Sequence, residues 1–72
     1  MDQKNFCVAA KIDGGKDFQF FCWKKGIGDF WSPDPNHPDI FRMTADDAEK
    51  WKKTFIRMDG YDDVQIRYIP QG

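Results

Sequence analysis

Cys7, Cys22 and His37 are the residues best suited to nucleophilic or metal chemistry in this chain of 72, which holds two cysteines and one histidine. Cys22 and His37, with a carboxylate from Asp34 or Asp39, would nominally supply a thiol nucleophile, a base and an orienting group. No spaced motif accompanies them, and Asn36-His37-Pro38 reads as an exposed Pro-rich turn. As metal ligands Cys7, Cys22 and His37 fall one short of a tetrahedral zinc site. Asp46-Asp47 and Asp62-Asp63 pair carboxylates in sequence, but adjacent side chains on a helix point about 100° apart, and the second pair follows Gly60 in a turn. Capping and solvation account for both. Gly14-Gly15 reads as a hairpin turn, and Gly26-Ile27-Gly28 follows a strand without opening a helix, so neither is a phosphate cradle. The reading is a non-enzymatic protein with no catalytic residues, no metal and no cofactor.

Binding chemistry has two candidate forms. Phe20, Trp23, Lys24 and Lys25 interleave rings with positive charge along one segment, as surfaces that stack single-stranded bases and hold phosphate do. Against this, the first 25 residues carry five basic groups to three acidic, and the whole chain carries a net charge of −1. That balance fits neither a general polyanion binder nor an acidic DNA mimic. No RNA-recognition or cold-shock signature can be aligned on the segment. The other form is a protein interface. Phe30 and Trp31 stand in a stretch punctuated by prolines 33, 35 and 38, with Asp29 and Asp34 nearby as a polar rim. Lys50, Lys53 and Arg57 would add a basic stripe, with Asp46 to Lys50 and Glu49 to Lys53 as i,i+4 pairs. A Trp beside a Phe on a restrained loop offers apolar area at low entropic cost, so partner binding ranks first; the equal rival is that Phe30 and Trp31 fold back to cover the second face of the hairpin as core.

These residues need a scaffold, and the composition limits which one. Leucine is absent, while seven Phe, three Trp and two Tyr must build the core. Flat rings in place of branched aliphatics disfavour a helical bundle, and one small domain over 1–72 is all the length allows. Phe6, Val8, Ala10 and Ile12 alternate as one face of a first strand; 17–25 reads as a second. With Gly14 and Gly15 as the hairpin loop, Ala9 falls opposite Phe20 and Cys7 opposite Cys22, so the thiols are expected as cross-strand neighbours, free or in a strained disulfide. The stretch 26–38 reads as an ordered loop, and 39–43 as a short strand. Thr44 caps a helix over about 45–58, with Ala48, Trp51, Phe55 and Met58 on the docking arc. Val64, Ile66 and Tyr68 then alternate in a last strand. The predicted fold is α+β, a single small ββ(β)αβ domain whose antiparallel sheet carries one helix on one face.

Both faces of the second strand are apolar, and one helix covers only one. The other needs the 26–38 loop, a second copy of the chain or a partner. A larger host protein or complex is the expected partner, a homodimer is a further option, and nucleic acid is the alternative. No segment is apolar and long enough to span a bilayer and no signal peptide is legible, so a cytoplasmic protein without a membrane partner is expected. Small α+β chains of this kind occur among phage and mobile-element products that block a host nucleic-acid machine, anti-CRISPR proteins included. That parallel rests on size and architecture alone.

Overall fold

Alternating apolar residues make β1 (Phe6–Ile12) and the ring-rich run that follows makes β2 (Phe18–Lys24), joined by a tight turn. The computed structural model describes residues 3–70. The turn is shifted from its expected place. Asp13 and Gly14, with φ of 49° and 76°, are its left-handed residues, and Gly15 N–H closes it on the Ile12 carbonyl at 2.9 Å. An Asp-Gly pair suits this geometry because Asp tolerates the left-handed region and Gly meets no steric penalty there. The register is the expected one, with Ala9 opposite Phe20 and Lys11 opposite Phe18.

Residues 26–38 depart from the expected loop. They contain a third strand, β3 (Gly28–Ser32), paired antiparallel to β2 with Phe21 opposite Trp31 and Trp23 opposite Asp29. Gly26 and Gly28 take φ of 88° and 91° to turn the chain, so the glycines that punctuate the stretch make a hairpin. Residues 39–43, expected as a strand, make two isolated bridges instead, Cys22 to Ile40 and Phe6 to Met43. Trp23 N–H donates to the Asp39 carbonyl and Phe41 N–H to that of Phe21, while Phe6 and Met43 exchange N–H···O bonds of 3.0 and 2.8 Å. The segment is thus wedged between β1 and β2 beyond their last paired residues. That wedge takes the place of direct strand pairing between Cys7 and Cys22, but the two side chains still share one buried cluster, as neighbours, and both are free thiols.

The helix α1 (Ala45–Ile56) starts as predicted, with the Thr44 hydroxyl accepting from Asp47 N–H at 3.2 Å and Asp46 and Asp47 in its first turn. It ends two residues early, and Met58 lies past it, half-exposed and off the docking arc. The i,i+4 pairs expected on its outer side are not closed: among the described residues the one ion pair is Lys11–Asp63, at 3.2 Å. Gly60 (φ 94°) then leads into β4 (Tyr61–Tyr68), which pairs with β1 and completes the sheet order β3-β2-β1-β4. A bulge at Asp63 (φ 50°) shifts the register between Ala9 and Lys11. The extra residue flips the alternation, so Tyr61, Val64 and Ile66 all reach the helix side.

That side is an aromatic core. Phe21 lies within 5.7 Å, centroid to centroid, of Trp31, Phe41, Trp51 and Phe55, with Val8, Ala10, Met43, Ala48 and Val64 filling between them. Each fully buried large side chain contributes roughly 1.5–3 kcal/mol, and favourable ring pairs about 0.5–1.5 kcal/mol more. On the opposite side of the sheet a smaller cluster of Cys7, Cys22 and Ile40, flanked by Phe20, Phe30 and Ile69, is closed over by residues 34–40. The second apolar face is therefore covered in part by the Pro-rich segment, the first of the three covers anticipated from the sequence.

Candidate binding surface

Because side chains alternate along β3, Phe30 and Trp31 point to opposite sides of the sheet. Trp31 enters the main core, 5.4 Å from Phe21 and 5.2 Å from Phe55. Phe30 packs on the cysteine side, edge-on to His37 at 5.5 Å. The pair read as either a partner's anchor or core cover is thus divided between two hydrophobic clusters, partly buried on each. Asp29 remains exposed on the strand, and the Asp34 carboxylate accepts the Asn36 N–H at 2.9 Å, which shapes its own turn. Lys50, Lys53 and Arg57 are exposed on the side of α1 turned away from the sheet, so they do not border β3.

The alternative set divides in the same way. Phe20 joins the cysteine-side cluster, while Trp23, three positions on in an unbroken ladder, points to the other side. No single stacking platform holds both rings. Lys24 and Lys25 stay exposed beside Trp23 at the start of the β2–β3 turn. Two cations are instead spent on a different ring: Lys11 Nζ and the Arg67 guanidinium lie 5.1 and 4.8 Å from the Phe18 centroid.

What the structure leaves uncovered is the end of the β2–β3 hairpin. Trp23 is 50% exposed and Ile27, at the turn, 67%. Phe41, 37% exposed, lies on the helix side opposite Phe21, two positions along β2 from Trp23, because of the Cys22 to Ile40 bridge. Backbone bonds hold this end rigid: the Trp23 N–H is donated to Asp39 at 3.0 Å and the Ile27 N–H to the Lys24 carbonyl at 3.0 Å. Ile27 and Phe41 were not singled out by sequence reasoning. The signal was there in the Gly-Ile-Gly turn, where an isoleucine has no strand face to occupy.

The nucleophile candidates sit in unreactive surroundings. Cys7 and Cys22 have no accessible surface, and Cys22 Sγ donates to the Phe20 carbonyl at 3.3 Å. Burial pushes the Cys7 thiol up to about 11 despite the nearby Arg67 and Arg42 guanidiniums, and burial, then the Asp39 charge, also raise Cys22. Protonated, enclosed thiols are poor nucleophiles and poor ligands. His37 Nδ1 accepts the Asp39 N–H at 3.0 Å and supports the turn. A shallow cleft of about 260 Å³ lies beside it, floored by Ile40 and Ile69, with Arg42 Nη1 bonded to the Ile69 carbonyl at 2.9 Å. No cluster of three or more potential metal ligands occurs among the described residues, and no helix among them is long and apolar enough to cross a membrane. Comparison with known proteins finds no matching family model, no matching curated protein and no matching solved structure.

Proposed function

We propose that the protein is a non-enzymatic binding module that docks on a larger intracellular protein or complex through the end of its β2–β3 hairpin. The observation that carries this reading is the exposure of Trp23 and Ile27 on a hairpin end held by backbone hydrogen bonds. A preorganised Trp with an aliphatic neighbour is the kind of anchor that dominates interface energy, because little entropy is lost when it is immobilised. Lys24, Lys25 and Asp29 supply the polar rim in place of the helix stripe. The roles first assigned to Phe30 and Trp31 pass to Trp23 and Ile27, since the former pair is half-buried against the two clusters.

A photo-crosslinking residue at position 27, with another at Lys53 as the control on the remote helix side, tests the proposal in the source cells. The expected result is one protein crosslinked from position 27 and not from 53, and lost when Trp23→Asp accompanies the probe. Equal products from both positions, or nucleic acid as the crosslinked species with affinity falling steeply as salt rises, would reject it.

A further inference from the structure

We propose that two copies of this chain associate through the outer edge of β4, pairing antiparallel about Ile66 to make one continuous sheet. β4 ends the sheet, so among the described residues one row of its backbone N–H and carbonyl groups has no partner strand. Ile69 N–H is donated inward to Asn5 at 2.6 Å; alternation then turns inward the groups of Arg67 and Gln65 and outward those of Val64, Ile66 and Tyr68. The Asp63 bulge interrupts the strand on one side and Pro70, which has no N–H, limits it on the other. The regular stretch is 64–68, and its centre is Ile66. A two-fold axis there sets Ile66 opposite Ile66 of the other copy and Val64 opposite Tyr68, so that every outward N–H meets an outward carbonyl.

The exposed apolar side chains follow the same symmetry. α1 rests on β4 and β1, and Trp51 leans from it toward Phe21 on β2. Ile56 lies about 100° round the helix from Phe55, on the flank opposite Trp51 and so on the side of α1 away from β2. It is 58% exposed near the start of β4, while Tyr68, 64% exposed, occupies the strand's other end on the same side of the sheet, its ring edge-on to Phe6 at 5.6 Å. Antiparallel pairing about Ile66 brings Tyr68 of each copy over Val64 and toward Ile56 of the other. The rival edge, β3, is shorter and starts at Gly28 with a left-handed φ of 91°. It offers no such self-complementary set.

Sedimentation velocity over a range of concentrations, combined with amide hydrogen exchange, tests the inference on the full chain. The expected result is reversible dimerisation, with the amides of Val64, Ile66 and Tyr68 slowing as concentration rises. Ile56→Glu and Tyr68→Glu, each at a site more than half exposed, should weaken the dimer at least about tenfold while the dilute monomer melts near the wild-type temperature. A monomer at every concentration up to about 1 mM, undiminished association in both variants, or concentration-dependent protection on β3 instead of β4 would each overturn it.

Discussion

Trp31→Ala removes a half-buried ring that touches Phe21, Phe55 and Tyr61, and is expected to cost about 3 kcal/mol. Trp23→Ala deletes the same indole from a surface site and should change stability by no more than about 1 kcal/mol, or a few degrees in melting temperature. Chemical denaturation of the two variants side by side measures the contrast; equal losses would mean that the hairpin end is part of the core. Cys7 gives a prediction in pH. Its folded pKa is raised, so the native state holds the proton more tightly than the unfolded chain does. The resulting stabilisation is complete below the unfolded value of 9.0 and lost as pH rises through about 11. Across that window the wild type should lose on the order of 2 to 3 kcal/mol more than Cys7→Ala, whose site has nothing to ionise. Parallel urea titrations at pH 8 and at about pH 11 would show it, and identical slopes would remove the buried thiol as the cause.

At the scale of elements, two local devices hold β4 and α1 in place. Thr44→Ala deletes the side-chain acceptor of the Asp47 N–H and should cost about 1 kcal/mol, with Thr44→Asn restoring most of it. Gly60 is less replaceable. At φ 94° a side chain is strained, and a Cβ there would stand 2.9 Å from Asp13 Oδ1, beside the 2.8 Å bond from Asp13 N–H to the Gly60 carbonyl. Gly60→Ala should therefore destabilise by more than about 1 kcal/mol, and thermal melts of the pair rank the two effects. The wedge at 39–43 is the element that the sequence described least well. Its Ile40 and Phe41 have the look of a strand, yet only Ile40 and Met43 reach bridging positions because β1 and β2 diverge around them.

For the whole molecule, rings from β3 and α1 converge on Phe21: Trp31 and Phe55 directly and, through both, Tyr61 of β4. A domain of this size is stable by roughly 4 to 11 kcal/mol, so one ring at the centre carries much of the margin. Phe21→Ala is expected to abolish cooperative melting by near-UV and far-UV circular dichroism together. Loss of the near-UV signal alone, with the far-UV transition kept, would show that sheet and helix fold without the aromatic cluster.

Local rules acting on neighbouring residues were readable from the chain alone. The period of two in Phe6 to Ile12, the Thr44 cap with its acidic first turn, the Ala9 to Phe20 register and the α+β class each follow from constraints that span a few positions, and the structure keeps them. The placement of Phe30 and Trp31 was of another kind. Whether that pair lies on a loop or a strand depends on Phe21 and Cys22 being free to accept β3 along the outer side of β2, a pairing that adjacent glycines and prolines permit without requiring. Direct strand pairing of Cys7 with Cys22 gave way to a segment nearly twenty residues further along the chain, which no local pattern in β1 or β2 announces, while the two side chains stay in one buried cluster. Long-range contacts decide such matters because they are set by which surfaces remain unburied once the local elements exist. Here those contacts consumed Phe30 and Trp31 and left Trp23 and Ile27 in solvent.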